Sequence, residues 1–236
     1  SLGMPSEMGF MESPTYLRHV ITLDEDIERL RAKLDHQNHH LKRNLRKAEE
    51  SGLIVREARN ENDVRQFHRL SVKTRRRLNL LPWPYHFIQS IYQHTVAHNL
   101  GFLLLAELHG KVIAGSLYLC FKDTVLLKIN ASDKDYSQYR GNYLITWKAI
   151  ERACQRGYKR FDFGISDPDN LGLIAFKRQW GSEELPLPYY YYSATNHIKS
   201  IAKVSPTYRR LYATANNLMP DFTAKLAARA LYRHLG

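Results

Sequence analysis

Acidic residues and cysteine are the scarce components of this chain. Its 236 residues hold 23 Asp and Glu against 35 Lys and Arg, and two cysteines. Cys120 and Cys154 each sit inside an apolar pattern. They read as two reduced thiols of a cytoplasmic protein, and nothing nearby supports a disulfide or a catalytic Cys–His pair. Long apolar runs are missing too: the longest, Phe102–Leu108, has strand length, well short of the roughly 18 residues of a membrane helix. The start, Ser1-Leu2-Gly3, lacks a charged region followed by an apolar core, so no secretory signal is read there. His36, His39 and His40 have a metal-compatible spacing. No carboxylate or cysteine is tied to them, so a solvent-facing stripe is expected and no metal.

The deficit of acids leaves a formal charge of +12. Much of it lies in 195–236, where Lys199, Lys203, Arg209, Arg210, Lys225, Arg229 and Arg233 face Asp221 alone. A second cluster is Lys42, Arg43, Arg46 and Lys47. Such asymmetry favours anionic partners: RNA, a phosphate-rich cofactor or an acidic membrane surface met peripherally. A basic face that serves only solubility explains the same charge.

Periodicity predicts a strand at Tyr16–Leu23, then one helix from Asp24 to Glu50 capped by Asp24, with Ile27, Leu30, Leu34, Leu41 and Leu45 on its apolar face. A strand at Leu53–Ala58 and helices at 60–78 and 85–98 follow. Three strand-like runs, Gly101–Leu108, Lys111–Phe121 and Thr124–Ser132, are separated by the turn pairs His109-Gly110 and Lys122-Asp123. A helix over Arg140–Arg156, a strand at Arg160–Phe163, a short helix and the Tyr189–Tyr192 strand complete the order. The fold class is α/β, with a mixed, mostly antiparallel sheet flanked by helices. Three regions are expected: an N-terminal extension (1–52), a main domain (53–194) and a basic helical tail (195–236).

The segment Arg160–Gly181, RFDFGISDPDNLGLIAFKRQWG, is the richest in chemistry. A strand carries Asp162 between two phenylalanines, a polar loop follows, and a short helix presents Phe176, Lys177 and Trp180. An acid and a base therefore stand near a strand end, where α/β proteins bind ligands. Asp162 is a candidate proton acceptor, or equally an anchor for the turn or a partner of Arg160 or Lys177. Upstream, Arg75, Arg76 and Arg77 precede Trp83 and Tyr85, and Tyr136, Tyr139 and Arg140 cluster before the 140–156 helix. Bidentate arginines and aromatic platforms suit sugar-phosphate ligands, and Arg76 and Tyr139 are the candidates taken from these groups, with Trp180 beside them.

The FDFG strand, the GL..FK..WG helix, the PLPYYYYS strand, the LKRNLRKAEESGL helix end and the YRGNYLITWKAIERACQRGYKRFDFG unit occur in one order. Together they resemble the FemAB-like (Fem-type) branch of the GNAT acyltransferase superfamily, over roughly 41–193. The resemblance implies a GNAT-like fold and an enzyme that moves an activated acyl group onto an amine of a cell-envelope precursor, as in peptidoglycan and cell wall biogenesis. Aminoacyl-tRNA is the donor it implies, with no tightly bound cofactor. The start of the 140–156 helix becomes a phosphate cradle, Gln138, Tyr139, Arg140, Gly141 and Asn142, since free N–H groups there favour a phosphate. Tyr143 stands where acetyl-CoA loops place a small residue. Lys177 becomes the fixed cation for the oxyanion or for substrate phosphate. Family members use two such domains, so 1–52 reads as a remnant of a first one, the chain being a fragment or a single-domain relative. Two alternatives remain: an acyl-CoA or acyl-carrier-protein N-acyltransferase, and a non-catalytic RNA- or membrane-binding module with the same fold.

Overall fold

The computed structural model describes residues 10–12 and 15–192. The basic tail expected at 195–236 lies outside them. In chain order the elements are β1 (Phe10–Glu12), β2 (Tyr16–Thr22), α1 (Ile27–Gln37), α2 (His39–Glu49), β3 (Ile54–Glu57), α3 (Glu61–Arg77) and α4 (Tyr85–His94). Then come β4 (Gly101–Leu108), β5 (Lys111–Phe121), β6 (Thr124–Ser132), α5 (Gly141–Gln155), β7 (Arg160–Ser166), α6 (Leu171–Arg178), β8 (Glu183–Leu187) and β9 (Tyr190–Tyr192).

Seven strands form one sheet in the order β3-β4-β5-β6-β7-β2-β8, and β1 pairs with β9 separately. Every neighbouring pair in the sheet is antiparallel except β6 and β7, which are parallel and joined through α5. Alternation along β4 assigns the two faces. Phe102, Leu104 and Ala106 join a core with Leu41, Leu45, Ile145, Ile150 and Phe161. Leu103 and Leu105 face Val64, Phe67 and Ile88. Helices α1, α2 and α5 cover the first face, and α3 and α4 the second.

Four expectations change. The single helix over 24–50 is two, because Asn38 adopts an extended backbone (φ −143°), ends α1 and caps α2 by accepting the Leu41 N–H at 3.0 Å. Asp26 rather than Asp24 caps α1; Asp24 is taken by Arg29 and the Asp26 N–H. The 85–98 helix stops at His94, and Val96–His98 forms a separate 3₁₀ turn. Residues 16–22, assigned to an extension by sequence, lie inside the sheet between β7 and β8.

Candidate active site

The site forms where β6 and β7 part. The two strands pair only over Thr124–Leu126 and Arg160–Asp162, although both run on for several residues. Two irregularities separate them. A bulge at Lys128 shifts the β5–β6 register, since Leu117 faces Ile129 but Tyr118 faces Leu127. On β7, Gly164 has φ +71°, a left-handed conformation that only glycine adopts cheaply. There the β2–β7 register also slips, with Val20 opposite Asp162 but Arg18 opposite Ile165. The opening is at the carboxyl ends of two parallel strands, the usual place for a ligand crevice.

Lys177 lies beneath this opening. It is 3% exposed, and its Nζ donates to the carbonyl oxygens of Gly164 (2.9 Å) and Ile165 (3.0 Å). In a regular strand consecutive carbonyls point opposite ways; the bulge lets one ammonium take both. An ammonium has three N–H groups, so one remains. Burial lowers its pKa to about 8, against the pull of the Asp162 carboxylate.

Asp162 is 4% exposed and committed elsewhere: Oδ2 accepts the Arg18 Nε–H at 2.7 Å and Oδ1 accepts the Gly164 N–H at 2.7 Å. Both oxygens thus hold the bulge, the anchoring role read for Asp162 in the sequence as an alternative to proton acceptor. Arg160, considered as its partner, pairs with Asp123. Trp180 is fully buried against Tyr143, Phe163 and Phe176. It supports the site from the core rather than facing a ligand, as was expected of it.

The residues expected to cradle phosphate lie at the other side of the opening. Lys134–Tyr139 form a 3₁₀ helix that carries Gln138 and Tyr139, and Arg140 turns left-handed (φ +58°) to start α5 at Gly141. A cleft of about 150 Å³ is lined there by Ser132, Asp133, Tyr136, Arg140, Gly141 and Asn142, among others. Gln138 is exposed and Tyr139 half-buried beside Tyr136, 6.2 Å between ring centroids. Arg140 Nε is buried without a partner, and Asn142 bridges Asn130 (3.4 Å) and Ser132 Oγ (3.3 Å). Tyr143 packs on Phe176 and donates to Gln179 at 2.9 Å, clamping α5 to α6. Arg76 is half-buried in the last turn of α3. That helix end reaches the cleft through Thr74, which bonds the Ser132 backbone at 2.9 and 3.0 Å, and through Lys73, 2.9 Å from Asp133.

Sequence reasoning missed Arg18, His19, Lys73 and the Gly164 bulge. The first two come from a strand far away in sequence, and only the glycine in FDFG signalled an irregular backbone. Of the histidine trio, the break at Asn38 takes His36 off the helix of the others, and His40 bonds Asn44 and Gln179. Among the described residues no group of three or more His, Cys, Asp or Glu is placed to hold a metal ion. None of the described helices is long and apolar enough to cross a membrane.

Comparison with known proteins agrees with this geometry. Residues 35–178 match the model of an acetyltransferase (GNAT) domain. An 86-residue stretch is 31% identical to a lipid II:glycine glycyltransferase of Staphylococcus haemolyticus (strain JCSC1435), covering 34% of this chain but only 20% of that protein's length. The crystal structure of FemX superposes with a TM-score of 0.67 at 15% identity, over 90% of this chain and 69% of that one. L-PGS from Bacillus licheniformis gives 0.54 at 11% identity, over 90% of this chain and 68% of that one. The Fem-type resemblance and the fold class read from sequence are borne out.

Proposed function

The chain belongs to the GNAT acetyltransferase domain family, a family of acyl-transferring enzymes, and from that premise we propose that it moves an aminoacyl group onto an amine of a cell-envelope precursor, with aminoacyl-tRNA as donor. The observation that carries the reading is the buried Lys177 ammonium, tied to two carbonyls at the strand split and keeping one N–H uncommitted.

The proposed chemistry follows from that cation. The acceptor amine attacks the ester carbonyl of the donor, a C–N bond forms, and negative charge builds on the carbonyl oxygen. A fixed N–H donor in a dry site stabilises that oxyanion more than the ground-state carbonyl, which lowers the barrier. The ester C–O bond then breaks, and the proton lost by the amine ends on the released hydroxyl. The start of α5, with Arg140 and the first N–H groups of the helix, holds donor phosphate. Asp162 and Arg18 keep the Gly164 bulge in shape. The sequence similarity to a lipid II:glycine glycyltransferase supports the acceptor class. Tyr143 supports the donor class: it fills the helix start and is tied to α6, which a small residue in a CoA loop would not do.

Transfer of a labelled amino acid from charged tRNA to a lipid-linked or nucleotide-linked peptidoglycan precursor tests the proposal. Transfer that Lys177→Met abolishes supports it. Transfer from acetyl-CoA or a long-chain acyl-CoA, with none from charged tRNA, would replace the donor.

A further inference from the structure

Among the described residues, His19 is a buried polar side chain that the chemistry above leaves unused. It sits in β2, fully buried, and neither ring nitrogen has a hydrogen-bond partner. An unpaired buried donor and acceptor cost free energy, so such a group calls for an explanation.

The sheet register shows where it points. Val20 faces Asp162 and Arg18 faces Ile165, so His19 lies against the Phe163–Gly164 bulge. Side chains alternate along a strand. His19 therefore shares a face with Leu17 and Ile21, whose partners are Ser166 and Phe161, and not the face where Arg18 meets Asp162. Helix α6 covers that face, with Trp180 just beyond its last turn 6.2 Å from Phe163. On the other side Glu184 of β8 faces His19, its Oε1 3.7 Å from Nδ1, and is itself held by Arg178. The charged groups around the ring are thus Lys177 and Arg178 from α6, Glu184 from β8 and Asp162 from β7. Ser166 Oγ, on the same face, is also buried and unpartnered.

Lys177 holds the carbonyls of the bulge that His19 lies against, and it has one N–H left. A neutral imidazole has one nitrogen free to accept. We propose that His19 is a positioning residue for Lys177: unprotonated, its ring holds the third N–H through a buried water until the substrate carbonyl claims it, and protonated it becomes a second cation that drives the ammonium out of place. The effect on catalysis rests on the transferase reading; the coupling between the two side chains does not. Burial, and next to it the Lys177 charge, lower the pKa of His19, so at neutral pH the ring is in the accepting form.

The test is an NMR titration of the His19 ring in the full chain, its signal identified by its loss in His19→Asn. In the native protein the midpoint is expected below the ordinary value of about 6.5. Lys177→Met should raise it by about one pH unit, because a cation beside an imidazole disfavours its protonation. A midpoint that Lys177→Met leaves unmoved overturns the proposal, whether or not any transfer activity is found. With an active transferase, His19→Phe is expected to lower kcat about ten- to hundredfold at little change in KM. His19→Asn should restore part of it and remove the acid limb of the native pH profile. Equal losses in both variants that track melting temperature, with the acid limb intact, would show a purely structural histidine. Should His19→Phe fail to fold, the titration still decides.

Discussion

Lys177 and Gly164 stand 13 positions apart in sequence, yet the lysine Nζ donates to the glycine carbonyl at 2.9 Å. The bond depends on the +71° φ of Gly164, which also ends the pairing of β7 with β6. Together with the Lys128 bulge, this glycine opens the strands; it also turns two carbonyls the same way and fixes the cation beneath the gap.

Gly164→Ala tests that dependence. A Cβ there would sit 3.4 Å from the Leu127 carbonyl oxygen, a contact the neighbour can accommodate. The left-handed backbone is the larger cost, about 1–2 kcal/mol for a residue with a Cβ. Urea denaturation should show a loss of that size with an unchanged slope. Transfer should fall much further than stability, because relaxation of the strand pulls the carbonyls away from Lys177. Loss of activity no greater than the fraction unfolded would sever the bulge from function.

The charge of Lys177 sets an alkaline limit. Burial brings its pKa down to about 8, so the cation is present below that pH and disappears as pH rises through it. The rate at low substrate, which follows kcat/KM and so reports the free enzyme, should decline with a midpoint near that value. Lys177→Arg keeps its charge throughout and should abolish the alkaline limb, at a lower plateau because the guanidinium is larger than the buried site. Lys177→Met should cut kcat about a hundred- to a thousandfold. An alkaline limb that persists in the arginine variant belongs to another group.

How much of this was legible in sequence depends on range. The order of strands and helices from β3 to α6 follows from periodicity and turn residues, which act locally, and the antiparallel run into a helix-linked strand was readable on that basis. The place of Tyr16–Thr22 inside the sheet was not, since nothing local to a strand states its partners. Lys177 was legible through its motif, but its burial was not, because a lysine on a short helix is normally solvated. Asp162 was read with its alternatives open, and the choice fell to Arg18, 144 positions away. Trp180 looked like a ligand contact because it closes a polar motif; it packs inward because Tyr143, Phe163 and Phe176 surround it.

Asp162 separates an organising role from a proton-accepting one. Asp162→Asn keeps an acceptor for the Gly164 N–H and gives up the ion pair with Arg18, which is 41% exposed and can be rehydrated. A cost of about 1.5–3 kcal/mol is expected for losing a hydrogen bond to a charged group, with kcat within about tenfold of native. Loss of a general base would instead cost about a hundred- to ten-thousandfold. Kinetics at constant folded fraction tell the two apart.

Acid stability should depend on a second network, away from the site. Arg56 bridges Asp63 (2.7 and 2.8 Å) and Glu107 (2.6 and 2.9 Å), tying the start of α3 to β3 and β4. Hydrogen bonding from Arg56 holds the Asp63 carboxyl below its ordinary value. A depressed folded pKa means that the unfolded chain binds the proton more readily. The stabilisation is therefore complete above the unfolded value of about 4 and fades as pH falls through the lower folded one. Asp63→Asn should cost about 1.5–3 kcal/mol at neutral pH, the range for a hydrogen bond to a charged group. The gap between native and variant should narrow steadily below about pH 4, because protonation removes from the native protein what the substitution removed already. Denaturation midpoints of the two proteins measured from neutral pH down to about pH 3 decide it. A gap that stays constant across that range would assign the loss to packing at the helix start instead of to the carboxylate charge.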